Sequence, residues 1–317
     1  MTTEAHFIQS LRALAQSPAA RGLLDDAAVL PIAGTHLVLT HDMIVEGVHF
    51  LAADPPADVA WKLVAVNLSD LAAKGAKPLG ILMGYTLTGD SEWDAAFVGG
   101  LGAALAHFAA PLLGGDTVSV PQGAPRSFGL TAIGSAVAGP PTRSGASPDD
   151  LLWVSGTIGD AGAGLRIARG ERDGPAALVD RYRRPQPRLA LGRALAPLVT
   201  AMMDVSDGLL IDARRLAAAS GLAIAIDLDR VPLSHDYARM CGHGRDAVLA
   251  AVTAGDDYEL LFTAPADQRG AIVELGASLG LPLAMIGGVS EGAGLGLLDA
   301  GNEVTLPARL GYEHGRE

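Results

Sequence analysis

Apolar positions along the chain fall into two alternating rhythms. Between Glu4 and Gln16, the residues Phe7, Ile8, Leu11 and Leu14 recur at helical spacing, and between Pro56 and Ala73 so do Val59, Leu63, Val66 and Ala73. Each stretch predicts a helix with one apolar stripe. Glu92 to Ala109 predicts a third. Between them lie HLVLTHD (36–42), LGILMGYTL (79–87) and SFGLTAIGSAVAG (127–139), short apolar runs that read as buried strands, the first ending in a carboxylate. GPPTRSGASPDD (139–150) breaks the rhythm. Rich in Gly, Pro and Ser, it reads as a linker or turn cluster and gives the best domain boundary, dividing the chain into 1–140 and 141–317. The second half repeats the pattern with strands at LLWVSG (151–156), AMMDVSDG (201–208), LAIAIDL (222–228) and YELLFTA (258–264), and with helices between them. Two halves of this kind predict two packed, mixed α/β (α+β) domains.

Composition narrows the partners. Lys plus Arg is 23 and Asp plus Glu is 35, a formal net charge of -12. Nucleic acid and anionic membranes both require a basic footprint, so neither is expected. With 49% hydrophobic and 18% charged residues the chain is globular. Cys241 is the only cysteine, which excludes an internal disulfide or a four-cysteine zinc site and predicts a reducing, cytoplasmic setting. The opening MTTEAHFIQS lacks the basic and apolar regions of a signal peptide, and no apolar run reaches transmembrane length.

The placement of acids changes the picture further. In a chain poor in charge, Asp25, Asp26, Asp42, Asp70, Asp116, Asp204 and Asp207 stand beside apolar runs, while Lys62, Lys74 and Lys77 are the only lysines. If several of these acids met in one cleft, each pair 4 Å apart would repel by about 4 kcal/mol at an effective dielectric near 20. Protons or divalent cations would relieve that, and carboxylates together with substrate phosphates suit Mg²⁺. Each acid taken singly also has an ordinary role. Asp25 or Asp26 can cap a turn, Asp70 can pair with Lys74 four residues on, and Asp207 can cap the helix after Gly208.

The familiar phosphate-binding devices are absent. There is no P-loop, and no strand leads into a clean G-x-G-x-x-G. GDAGAGL (159–165) either offers backbone N–H groups to an anion at a helix start or makes a tight turn. GGD (114–116) either lets backbone approach a ligand closely or makes a turn. The eight histidines are scattered, with no metalloprotease spacing and no visible hydrolase triad.

Seven motifs then occur in a telling order: DDAAVL, THDMIVEGVHF, AVNLSDLAAKGAKP, LLGGDT, TRSGASPDD, DVSDGL and AGDDYELLF. In this order, and over Asp25 to Tyr312, the chain resembles the thiamine-monophosphate kinases, members of the aminoimidazole ribonucleotide synthase-like superfamily. The resemblance implies an N-terminal ATP/Mg²⁺-binding and dimerisation domain, a C-terminal α/β domain, a homodimer, and transfer of the γ-phosphoryl group of ATP to thiamine monophosphate, giving thiamine diphosphate. It implies several Mg²⁺ ions held by Asp26, Thr40, Asp42, Asp70, Asp116, Asp204 and Asp207, with His41 at a ligand position where threonine is common, so that a hydroxyl ligand is lost there. It also implies contacts to ATP from Gly115, Asp116, Arg143 and Ser206, and to thiamine monophosphate from His49, Asp256 and Tyr312. Two further departures are visible: Leu24 replaces a glycine before Asp25, and Ala254 and Asp256 stand where the family has Gly and Glu.

No general base is expected for this chemistry. The nucleophile is a phosphate oxygen whose second pKa is about 6, so it is already largely dianionic at neutral pH. The obstacle is the approach of two anions, which positioning, Mg²⁺ and cationic groups such as Arg143 would overcome. Three other readings compete: a superfamily enzyme with a different acceptor, a dimeric module that binds nucleotide without catalysis, and a metal-dependent phosphohydrolase.

Overall fold

The computed structural model describes residues 3–137 and 139–313. The first half contains α1 (Thr3–Arg12), β1 (Ala28–Ile32), β2 (Thr35–Val45), α2 (Pro56–Ala73), β3 (Lys77–Leu87), α3 (Ser91–Phe108), β4 (Leu112–Ser119) and β5 (Ser127–Ala136). Its strands form a five-stranded sheet in the order β1-β2-β5-β3-β4, antiparallel except for β3 and β4. The second half contains β6 (Leu151–Ser155), α4 (Asp160–Ala168), α5 (Ala176–Arg183), α6 (Leu189–Leu195), β7 (Ala201–Val205), α7 (Leu209–Ser220), β8 (Ala223–Asp227), α8 (His235–Cys241), α9 (Arg245–Val252), β9 (Glu259–Ala264), α10 (Arg269–Leu279), β10 (Leu283–Ser290), β11 (Gly294–Asp299) and β12 (Asn302–Val304). Its sheet runs β12-β11-β8-β10-β6-β9-β7. The architecture is the two mixed α/β domains that the alternating pattern predicts.

One helix organises both halves. Fourteen of the 18 residues of α2 are buried, which an ordinary surface helix with one apolar stripe does not achieve. It packs on β2 and β5 of the first sheet and on α6, β7 and β9 of the second half. The close approach of α6 depends on Gly192, where an added Cβ would lie 1.9 Å from the Ala72 carbonyl oxygen.

Strand β2 alternates more sharply than its sequence suggests. Val38, Thr40 and Ile44 are buried toward α2, with half-buried Asp42 on the same face, while His41 and Met43 point to the exposed face. The expected helix over 4–16 ends at Arg12, and the strand expected to reach 139 ends at Ala136. Five strands were not foreseen: β1, β4 and the three C-terminal strands. Strand β4 contains Gly114 and Gly115, residues depleted from strands, and every position in it is exposed. Gly115 is required there because a Cβ would lie 1.9 Å from the Met83 carbonyl oxygen of the neighbouring strand. Among the described residues no helix is long and apolar enough to cross a membrane.

Candidate active site

The buried face of α2 carries polar groups at Asn67, Ser69, Asp70 and, just beyond its end, Lys74. Each reaches a different segment. Asn67 Oδ1 accepts the Asp42 backbone N–H at 2.8 Å and its Nδ2 donates to the Leu63 carbonyl, which fixes the strand carrying Asp42. Ser69 donates to Asp204 Oδ2 at 2.6 Å, tying α2 to β7. Thr40 donates to Asp70. The result is that Asp26, Asp70 and Asp204, remote in sequence, bring a carboxylate oxygen each to within 4.8 Å of one another.

The electrostatics are those of an under-neutralised cluster. Burial pushes Asp204 up to about 8, and the Asp26 charge adds to this. Burial and the neighbouring Asp42, Asp204 and Asp26 charges push Asp70 well above the carboxylate range. Asp42 is raised to about 6, again chiefly by burial. Asp26 moves the other way: burial opposes its charge, but Lys74 and then Arg143 outweigh that and lower it. Lys74, fully buried, lies 2.5 Å from both Asp26 Oδ2 and Asp25 Oδ1, and Arg143 Nε donates to Asp26 Oδ1 at 2.8 Å. The ordinary pairing of Lys74 with Asp70 does not form. The lysine turns instead to the loop before β1.

These donors fit a hard divalent cation. The three carboxylates converge, and burial together with the neighbouring carboxylate charges raises both Asp70 and Asp204, so that a cation placed among them would be favoured. Oxygen-only donors exclude a soft-metal site.

Other expected residues lie at varying distances from this centre. Asp207 is turned toward Arg215 at 2.5 Å, while Asp212 accepts the Ser206 and Asp207 backbone N–H groups at 3.1 Å and so shapes the turn after β7. The Ser206 carbonyl accepts the Asp256 N–H at 2.7 Å, and the Asp207 carbonyl accepts that of Tyr312 at 2.8 Å. Asp256 and Tyr258 both adopt left-handed backbone, φ 62° and 50°. For non-glycine residues that costs about 1–3 kcal/mol each and persists only where the surroundings dictate it. His49 accepts the Val45 N–H on its Nδ1, and Lys62 donates both to the His49 carbonyl (2.9 Å) and to Asp256 Oδ2 (2.7 Å). The three residues implied for thiamine monophosphate are thus placed by these short links.

His41 and Asp116 do not join the cluster. His41 Nδ1 lies 2.9 Å from the Thr131 hydroxyl on the outer face of the first sheet. Asp116 pairs with Gly84, and the same row continues through Gly129 to outward-facing Met43. It is therefore exposed on that outer face, three strand spacings of about 4.8 Å from β2. Gly115 lies beside it on the edge strand β4. The Gly-rich turn at 159–165 is not open to an outside anion at its first N–H: both Asp257 oxygens accept the Gly159 N–H at 3.0 Å.

Sequence reasoning missed Asn67, Ser69, Lys62 and Lys74 as site-builders. A signal was present: Asn67, Asp70 and Lys74 recur at i, i+3 and i+7 within an otherwise apolar helix, which marks a polar stripe facing inward.

Comparison with known proteins identifies the family and the fold. Residues 24–136 match the N-terminal domain model of the AIR synthase related proteins, and residues 147–300 match the C-terminal domain model. The thiamine-monophosphate kinase of Caulobacter vibrioides is 41% identical, covering 98% of this chain and 90% of its own. Among solved structures, the thiamine-monophosphate kinase from Stenotrophomonas maltophilia is 38% identical with a TM-score of 0.77, covering 94% of this chain and 96% of its own. AaThiL complexed with AMPPCP and TMP is 30% identical with a TM-score of 0.84, covering 97% and 96%.

Proposed function

The chain belongs to the thiamine-monophosphate kinases of the AIR synthase related family, and from that premise we propose that it transfers the γ-phosphoryl group of ATP in line to thiamine monophosphate, giving thiamine diphosphate, the last step in making that cofactor, with several Mg²⁺ ions. The observation that carries the reading is the convergence of Asp26, Asp70 and Asp204 from three remote segments into one under-neutralised cluster.

In this reading Asp26, Asp42, Asp70 and Asp204 hold Mg²⁺, with Thr40 and Asp207 as further ligands. Bound there, the ions would offset the negative charge of the two substrates and polarise the transferred group. The residues of the chain do the rest. Arg143, already extended into the cluster, supplies a planar fork for phosphate oxygens once an ion takes over Asp26. Ser206, on the turn held by Asp212, faces the nucleotide. His49, Asp256 and Tyr312 hold the acceptor, so that its dianionic phosphate meets the γ-phosphorus without a general base.

Gly115, Asp116 and His41 are assigned to a site completed by a second copy. Asp116 is on the outer face, where Met43, Leu82, Leu113 and Val118 are also exposed, a larger apolar display than a lone sheet face normally leaves in water. A homodimer through this face would cover it and bring Asp116 of one copy toward β2 of the other. Residues 1–140 would then form the ATP/Mg²⁺-binding and dimerisation domain and 141–317 the second α/β domain, in a cytoplasmic enzyme with no nucleic-acid or membrane partner.

The test is to mix the protein with ATP, Mg²⁺ and thiamine monophosphate. ADP and thiamine diphosphate should form in equal amounts, and chelator should abolish both. Release of inorganic phosphate without acceptor would make it a phosphohydrolase instead. Nucleotide binding with no turnover would make it a regulatory module.

A further inference from the structure

We propose that Lys62 is the positioning residue for the acceptor, fixing the Asp256 carboxylate across the domain junction; this rests on the kinase reading above and deepens it. Lys62 lies in the middle of α2 and is 2% exposed. An ammonium has three donors, and all three directions are used. One goes to the His49 carbonyl at 2.9 Å, one to Asp256 Oδ2 at 2.7 Å, and the third faces the Tyr182 ring, whose centroid is 4.2 Å away. A buried group with no free donor does not touch substrate, so Lys62 works through what it holds. Asp256, in contrast, keeps 32% of its side chain exposed. Its Oδ2 is taken by Lys62 and its Oδ1 accepts from the Tyr258 hydroxyl at 3.2 Å. A carboxylate held on both oxygens and still open on one side is an oriented acceptor for an N–H donor or cationic ring.

The surroundings make this link a junction between domains. Tyr182, which caps the lysine, donates its hydroxyl to buried Asp54 at 2.8 Å, and Arg183 donates to the same carboxylate at 2.8 Å. Trp61, the neighbour of Lys62, donates to the Pro185 carbonyl at 3.0 Å. The segment 181–188 then returns to its own domain, where Arg181 and Arg188 grip Glu259, three residues after Asp256. His49, Asp54 and Lys62 belong to the first sheet's half, whereas Asp256 and its backbone anchors belong to the second. Lys62 therefore sets the acceptor residues of the two halves in register.

The experiment is a double-mutant cycle between Lys62→Met and Asp256→Asn, reading the affinity for thiamine monophosphate and for ATP separately on the full-length protein by calorimetry, with a nonhydrolysable ATP analogue present for the acceptor measurement. Lys62→Met should weaken thiamine monophosphate about tenfold or more and change ATP affinity less than about twofold. In the Asp256→Asn background the same substitution should cost almost nothing further, because its effect is transmitted through that carboxylate. Lys62→Arg, which keeps the charge, should recover part of the loss. Equal losses for both ligands, or the same loss with and without the Asp256 carboxylate, would overturn the role. If Lys62→Met does not fold, Lys62→Arg alone decides: an acceptor-specific KM increase supports the role, and an unchanged KM overturns it. A wild-type protein that never phosphorylates thiamine monophosphate would instead defeat the kinase reading, an outcome distinct from a working kinase indifferent to Lys62.

Discussion

The two ends of α2 treat buried carboxylates in opposite ways. Two buried acids, Asp54 just before its N-terminus and Glu259 on β9, are answered from within the chain. Asp54 receives Arg183, the Tyr182 hydroxyl and the Leu51 N–H, and Glu259 receives Arg181, Arg188 and the Ser155 hydroxyl. Toward its C-terminus Asp42, Asp70 and Asp204 crowd together, Asp70 and Asp204 with hydroxyl partners but no dedicated cation among the described residues, and burial raises all three. Burial is similar at the two ends. The difference lies in who supplies the positive charge. Where the chain supplies it, the acids act as ties, Asp54 between the halves and Glu259 within the second; where it withholds it, the acids hold a place for a cation from outside.

The contrast is broken most forcefully by Asp204→Asn. If the carboxylate serves an external cation, phosphoryl transfer should fall by about a hundred- to a thousandfold, while the metal-free protein should lose no stability, since an amide is neutral and still accepts from Ser69. Kinetics at saturating ATP together with a urea melt in chelator would check both halves, and a variant of normal activity at limiting Mg²⁺ would refute the assignment. Glu259→Gln is the mirror experiment. It strands Arg181 and Arg188 beside a neutral, fully buried side chain, and breaking a buried pair from one side costs about 3 kcal/mol. The same urea melt should show that loss. If Glu259→Gln is harmless and Asp204→Asn is destabilising, the two ends have been assigned the wrong way round.

What the sequence made legible follows the same division. The strong periodicities were readable: α2 begins and ends where Pro56 to Ala73 predicts. So were Asp42 and Asp204, which stand out against apolar neighbours, although the strand expected to end at Asp42 runs on to Val45. Strand β4 was hidden, since paired glycines read as a turn and their need arises only from contact with β3. The ties were hidden as well. Lys62 and Lys74 look like solvent-facing residues of a helix, and only the arrival of a second domain on that face buries them. A lysine's partner is set by tertiary geometry, as Lys74 shows by choosing Asp25 and Asp26 over Asp70, its neighbour one turn back. Asp116 lay further still from reach, because its place on the outer sheet face depends on a register that no single strand reveals.

A smaller effect separates the two ends by pH. Asp42 is raised to about 6 and Asp204 to about 8, against an ordinary value near 3.8. Between those values the folded chain keeps protons that the unfolded chain has released. Stability from these groups is therefore greatest at the acid side of the window and falls as pH rises toward 8. In chelator, Tm should drop by on the order of 5 °C from pH 5.5 to 8. Mg²⁺ should reverse the trend, because an ion that displaces those protons binds more tightly as pH rises and stabilises only the folded form. Other groups titrate in the same range, so the decisive comparison is with Asp204→Asn, in which the downward slope should shrink, and with Glu259→Gln, in which it should persist at a lower Tm. A wild-type Tm that holds level or climbs across the window in chelator would mean that the cluster already has its counter-charge, and that Lys74 and Arg143 serve all of it rather than Asp26 alone.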